Sequence, residues 1–229
     1  MLIAVPAVLS ADEVERARAL LASGQWGDGR VTAGTQSALA KRNRQLEQDD
    51  AGGHEVAGMI LKALKANGLF MSAALPRTIF PPLFNRYDAK DGHAFGNHVD
   101  NAIRYLPDGS GTIRTDLSAT LFLSDPADYD GGELVIEDSY GSHQVKLAAG
   151  DMILYPATSL HRVEPVTRGS RLASFFWIES MVRDDGQRTI LLDLDAAVRT
   201  LAGKVGDDDP AIISLTGTYH NLLRRWADS

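Results

Sequence analysis

The chain predicts a mainly β fold, a double-sheet jelly roll with helices on both flanks. Nine short β-rich runs follow one another between residues 78 and 178. Turn signals separate them: Pro107-Asp108-Gly109, Asp130-Gly131-Gly132, Ala149-Gly150-Asp151 and Arg168-Gly169. A helical period appears only before and after this stretch. Closely spaced strands with no helices between them must pair antiparallel and bury their faces against one another, which gives a sandwich or barrel.

Taken in order, Ser10-Ala11-Asp12-Glu13 reads as a capping box. It opens a helix to about Ser23 that carries Val14, Ala17, Leu20 and Leu21 on one face. A polar, Gly-rich stretch follows to Gly34, and Gln36 to Gln48 is expected to be helical with a weak apolar stripe. A clearer helix spans about His54 to Ala66 and stops at Asn67-Gly68. The strands are expected at Thr78–Phe80, Leu83–Tyr87, His98–Tyr105, Asp116–Leu123, Glu133–Ile136, Gln144–Leu147, Met152–Tyr155, His161–Val166 and Leu172–Ile178. After Ser180 the period is helical again, from Asp184 to about Leu201. Asp209-Pro210 starts a last helix with Ile212, Leu215, Tyr219, Leu222, Leu223 and Trp226 on its buried face. The division expected is a catalytic domain over 1–180, with its jelly-roll core at about 72–180, and a helical appendage over 181–229. That tail packs on the barrel or forms a homodimer with a second subunit.

Composition narrows the function. With 229 residues, 44% hydrophobic and 23% charged, the chain buries a sizeable core unaided. A net charge of −7 argues against nucleic acid as partner. The chain has no cysteine, which excludes disulfides, zinc-thiolate sites and thiol nucleophiles and fits a cytoplasmic location. No apolar run reaches the ~20 residues that cross a bilayer, so no membrane role is expected.

The chemistry-bearing residues are His98, Asp100 and His161. His-x-Asp alone is a weak motif, but residues two apart in a strand share a face, and a neighbouring antiparallel strand brings His161 to it. Two histidines and one carboxylate on one face form the facial triad of non-haem iron(II) oxygenases. Three protein ligands leave three adjacent positions on the metal, two for a chelating oxo-acid and one for dioxygen. Arg171, placed deeper in the barrel, needs a carboxylate partner if buried, and the distal carboxylate of 2-oxoglutarate is such a partner. Asn101 and Arg104 follow the metal pair and face substrate in this reading, as do Asn43, Gln45 and the basic cluster Lys41–Arg44. Two other readings use the same residues: a cupin-like metal-dependent hydrolase or isomerase, and a non-catalytic sensor of iron or 2-oxoglutarate.

Tyr87, His98-Val99-Asp100, Asp130-Gly131-Gly132-Glu133-Leu134, Gly150-Asp151, Leu160-His161-Arg162-Val163 and Arg171 together resemble the prolyl 4-hydroxylase-like dioxygenases. More narrowly, they resemble the PKHD-type hydroxylases, a bacterial subfamily associated with iron uptake. The likeness runs over nearly the whole chain, including Leu191-Leu192-Asp193-Leu194-Asp195 and the stretch from Leu215 to Trp226. The resemblance implies a double-stranded β-helix, Fe(II), 2-oxoglutarate as co-substrate and L-ascorbate as reductant. It implies His98, Asp100 and His161 as iron ligands, Arg171 on the 2-oxoglutarate carboxylate, and Tyr87 at a co-substrate contact. The reaction implied consumes dioxygen, converts 2-oxoglutarate to succinate and CO2, and hydroxylates an unidentified substrate, a peptidyl side chain or a small metabolite. One departure stands out: Phe122 falls where some prolyl hydroxylases carry a second co-substrate tyrosine.

Overall fold

A computed structural model describes residues 1–32 and 34–228, the Thr32 side chain excepted. Two antiparallel sheets face each other. The larger runs Ile3–Val5, Met152–Pro156, Leu117–Phe122, Val166–Ser180, Leu83–Asp88, Arg44–Leu46, Trp26–Asp28, with Pro76–Ile79 and Tyr129–Gly131 also paired to the long Val166–Ser180 strand. The smaller runs Gly141–Val145, Leu134–Asp138, Leu160–Val163, Ala94–His98, Lys41–Arg42. This is the jelly roll expected from the strand spacing.

The central strand Leu117–Phe122 is buried at every position, because both of its faces are covered. Leu117, Ala119 and Leu121 join the cluster under the helices; Phe122 joins the cluster between the sheets, with Ser118 and Thr120 on its side. The period of two thus sorts one strand's residues between scaffold and cavity. Val166–Ser180 does the same: Phe176 and Ile178 pack under the helices, while Arg171, Phe175 and Trp177 line the cavity.

Helices α1 (Ala11–Ala22), α3 (Ala51–Ala66) and α4 (Gly68–Ala74) cover the outer face of the larger sheet through Val14, Leu21, Val56, Ile60, Leu64 and Phe70. The Ser10/Glu13 capping box starts α1 as the sequence predicts. Asn67 ends α3 and its side chain also caps α4 at the Phe70 amide, so the expected stop is a corner between two helices. Helix α5 (Asp185–Val205) and helix α6 (Pro210–Trp226) form the tail. They dock through Leu191, Tyr219, Leu222, Leu223 and Trp226 onto Leu75 and Val182. Asp209 and Pro210 start α6 where expected. Helix α5 runs past Leu201 and Gly203 to Val205.

Several local expectations change, among them the strand His161–Val166, which ends at Val163, and the turn at Asp130-Gly131-Gly132, whose first two residues pair as a strand. The stretch Gln36–Gln48 is helical only in α2 (Thr35–Ala40). Lys41–Arg42 then pairs with Ala94–His98, and Arg44–Leu46 pairs with Leu83–Asp88. Sheet edges in need of partners override the weak helical stripe here. The segment expected as one strand from His98 to Tyr105 ends at His98 and resumes at Ile103, with Asp100 in the loop between. Arg168-Gly169 is not a turn: Gly169 takes a positive φ inside the long strand, and the reversal lies at Glu164-Pro165. No helix is long and apolar enough to cross a membrane.

Candidate metal and co-substrate site

His98 closes its strand and His161 lies directly opposite on the antiparallel neighbour. Their rings stand 4.1 Å apart, centroid to centroid. Asp100 turns back from the loop so that its Oδ2 lies 3.8 Å from His161 Nε2, and one donor atom from each of the three residues falls within 4.8 Å of the others. The sequence argument placed His98 and Asp100 on one face of a single strand. The convergence is instead made by a strand end and the bend after it.

Main-chain groups set the state of each ligand. His98 Nδ1 meets the Gly96 carbonyl at 2.9 Å and His161 Nδ1 meets the Ser159 carbonyl at 3.0 Å. A carbonyl only accepts, so each Nδ1 carries a proton, and it is Nε2 that is turned toward the cluster as the atom able to bind a metal. Burial, reinforced by the adjacent His161, pushes His98 down to about 4, so its imidazole is neutral at physiological pH. Phe95 stacks on the His98 ring at 3.5 Å. The Ser118 hydroxyl donates to Asp100 Oδ2 at 2.6 Å, fixing the carboxylate. Ser118 was missed by reasoning from sequence, although the alternation of its strand places it on the inner face.

Arg171 sits at the far end of the same cavity and is 1% exposed. It is cross-strand to Tyr87, and its guanidinium lies 5.4 Å from the Tyr87 ring and 5.2 Å from the Phe122 ring. Its Nε and Nη1 have no hydrogen-bond acceptor among the described residues. A buried guanidinium with unmet donors is costly unless a ligand brings the acceptor. Gly132 leaves room for it: at φ +67° a Cβ there would come within 3.1 Å of Arg171 Cδ. Burial pushes the Tyr87 phenol up to about 12 despite Arg171, so it is a neutral donor. Tyr155, also lining the cavity, is raised well above its ordinary value by burial and by Asp100. Phe122 lies beneath Arg171 as an apolar wall.

The remaining predicted residues divide. Asn101 and Arg104 line the cavity, as do Lys41 and Trp177. Asn43 and Gln45 do not line it; both are buried, Asn43 against Tyr87 and Gln45 accepting from the Lys41 ammonium at 3.3 Å. They support residues of the cavity from behind, because their segment crosses between the two sheets.

This donor set suits a divalent metal with a chelating co-substrate. Two imidazoles, each held at Nδ1 by a carbonyl, and one held carboxylate point into a cavity that also receives a buried guanidinium whose Nε and Nη1 lack an acceptor among the described residues.

Comparison with known proteins agrees. Residues 82–179 match the 2OG-Fe(II) oxygenase superfamily, and residues 185–228 match the PKHD-type hydroxylase C-terminal domain. A PKHD-type hydroxylase of Caulobacter sp. (strain K31) is 60% identical over 228 residues, covering all of both chains. The chain belongs to the PKHD-type hydroxylases. Another member, from Caulobacter vibrioides, is 59% identical over the same full length. The fold is shared more widely. A prolyl hydroxylase from Trichoplax adhaerens, in complex with a hypoxia inducible factor peptide fragment, superposes with a TM-score of 0.59 at 13% identity, covering 83% of this chain and 86% of that one. A Pseudomonas putida prolyl-4-hydroxylase superposes with a TM-score of 0.53 at 21% identity, covering 78% and 92%. As a PKHD-type hydroxylase the protein is an Fe(II)- and 2-oxoglutarate-dependent dioxygenase, which sets aside the hydrolase and sensor readings.

Proposed function

We propose that His98, Asp100 and His161 hold the iron of this hydroxylase, and that Arg171 and Tyr87 hold the distal carboxylate of 2-oxoglutarate. The observation that carries the reading is the pairing of a three-residue cluster with a buried guanidinium, its Nε and Nη1 without an acceptor among the described residues, in one cavity. Iron and 2-oxoglutarate together supply dioxygen activation: one oxygen atom enters succinate as CO2 leaves, and the other becomes a hydroxyl group on the substrate.

The protein's part is placement. The Gly96 and Ser159 carbonyls keep both Nε2 lone pairs available, and Ser118 keeps the Asp100 carboxylate turned inward. Arg171 presents a planar fork suited to a carboxylate, and the neutral Tyr87 phenol adds a donor beside it. Substrate enters past Asn101 and Arg104. Apolar walls at Phe95, Leu134 and Val163 narrow the space open to water around the reacting atoms.

Release of CO2 from labelled 2-oxoglutarate tests the assignment. It is expected to depend on Fe(II), to vanish in His161→Ala, and to show a sharply raised KM for 2-oxoglutarate in Arg171→Met. Wild-type turnover in His161→Ala rejects the ligand set.

The same reading takes residues 1–180 as the catalytic domain and 181–229 as its appendage, supported by where the two family matches end and begin. It includes L-ascorbate as reductant and a cytoplasmic site of action. It also includes a homodimer through the tail, supported by the exposed Ile190, Val205 and Ile213.

A further inference from the structure

Beside Arg171 stands a buried polar group that the assignment above does not use. Tyr129 is 0% exposed, and its hydroxyl has no hydrogen-bond partner among the described residues. It lies on the strand Tyr129–Gly131, paired with Gly169, two residues before Arg171 on the long strand. Gly132 brings the two side chains together: a Cβ there would come within 3.1 Å of Tyr129 Cε2 and within 3.1 Å of Arg171 Cδ. Tyr129 and Arg171 are therefore neighbours across the gap that this glycine leaves. The Tyr129 ring also belongs to the apolar cluster between the sheets that holds Tyr87 and Phe122, the two rings against which the guanidinium lies.

A buried hydroxyl without a partner is costly, and the guanidinium beside it adds Nε and Nη1 with the same deficit. Pairing the groups with each other does not balance them. With the phenol oxygen accepting one N–H, its own O–H and the other N–H still lack acceptors. Donors in excess call for an acceptor-rich group, and a carboxylate brings about four lone-pair sites on two oxygens. Burial raises the Tyr129 phenol above its ordinary value, with the Arg171 charge acting against that rise, so the O–H is a donor at physiological pH. Phe122 has no polar atom to offer the same carboxylate. Lys146 holds Tyr129 from behind: its ammonium donates to the Tyr129 carbonyl at 2.8 Å and lies 4.1 Å from the ring centroid. The phenol is thus fixed in advance, and little side-chain freedom is lost when a ligand meets it.

We propose that Tyr129 is a further co-substrate-binding residue, its hydroxyl donating to the distal carboxylate of 2-oxoglutarate beside the Arg171 guanidinium. The proposal rests on the co-substrate assignment above and adds a residue to it. It makes Tyr129 one of the groups by which this hydroxylase tells an oxo-diacid from an oxo-acid with an apolar far end.

The test is calorimetric binding to protein loaded with Mn(II), comparing 2-oxoglutarate with 2-oxopentanoate, which keeps the carbon chain and the keto-acid end but lacks the distal carboxylate. Wild type is expected to prefer 2-oxoglutarate. Tyr129→Phe, which removes one oxygen and keeps the ring, is expected to weaken 2-oxoglutarate about tenfold and to leave 2-oxopentanoate unchanged. Added to Arg171→Lys, which keeps a charge but gives up the fork, the same substitution is expected to weaken 2-oxoglutarate further. No further loss there would make Tyr129 a positioning residue that acts through Arg171, and overturns the direct contact. Unchanged affinity for 2-oxoglutarate in Tyr129→Phe, or an equal loss for both acids, also overturns the proposal. So does a fall in the apo Tm or in Mn(II) affinity, which would make the hydroxyl structural; both are expected to match wild type, since the lost hydroxyl has no partner in the protein. If wild type binds both acids equally, the Arg171 assignment fails and the proposal with it, whereas a wild-type preference that survives in Tyr129→Phe rejects Tyr129 alone.

Discussion

Both metal-facing imidazoles give their Nδ1 protons to main-chain carbonyls, so the state of the site is set by backbone two residues away in each case. Among the described residues the carboxylate has one hydrogen-bond donor, the Ser118 hydroxyl. Ser118→Ala is therefore expected to weaken Mn(II) binding about tenfold while leaving the fold intact, measured by titration of the apo protein; unchanged affinity would show that the loop alone orients Asp100. Lys41 yields a pH prediction. Its folded value of about 8 lies below the ordinary 10.5, so between these the unfolded chain holds more protons and stability rises with pH. The cost of the buried charge is complete below pH 8, at about 3 kcal/mol, and is relieved as pH climbs toward 10.5. In urea denaturation of the apo protein, Lys41→Met is expected to be more stable than wild type at pH 7 and to lose that advantage by pH 10. The proposed ligands were legible because His98, Asp100, His161 and Arg171 stand within a family-like pattern, although the same residues also fitted two other readings. Ser118 was not singled out, because a serine in a strand has ordinary uses everywhere, and Lys41 was read only as part of the basic cluster Lys41–Arg44.

The elements were readable where a single period dominated. Leu117–Phe122 and Met152–Pro156 came out nearly to the residue, and the capping signals at Ser10 and Asp209 started their helices as read. Errors fell where pairing with a distant strand decided the outcome. Lys41–Arg42 and Arg44–Leu46 are strands because Ala94–His98 and Leu83–Asp88 offer them edges, information absent from the local pattern. Gly169 looked like a turn because its positive φ is a turn conformation, yet it kinks a continuous strand. The tail is anchored by two fully buried residues of α5: Leu191, seated against Leu75 and Val182, and Arg188, whose guanidinium donates to the Val182 carbonyl. Leu191→Ala is expected to cost about 3 kcal/mol in urea unfolding. A change under 1 kcal/mol would mean that the tail docks without this contact.

On the scale of the whole molecule, the cavity joins two sheets that otherwise meet through apolar packing. His98 and His161 stand on the smaller sheet, Arg171 and Tyr87 on the larger, and Asp100 in the loop beyond the His98 strand, held by Ser118 of the larger sheet. In the assignment proposed above, a metal held by the first sheet and chelated by a co-substrate whose far end is held by the second would act as a cross-brace. Ligands that bind only the folded state stabilise it by mass action, about 2.7 kcal/mol for each at a hundred times its Kd. For a chain of this length each kcal/mol raises Tm by about 2–4 °C. Mn(II) with 2-oxoglutarate is thus expected to raise Tm by more than Mn(II) alone, and each increment should fall within about 5–10 °C. The increments separate the two halves of the site. His161→Ala should abolish both, since the co-substrate chelates the metal, whereas Arg171→Met should keep the metal increment and lose most of the one due to 2-oxoglutarate. If 2-oxoglutarate stabilised Arg171→Met as fully as wild type, its distal carboxylate would have to lie elsewhere, and the two sheets would not be bridged through Arg171.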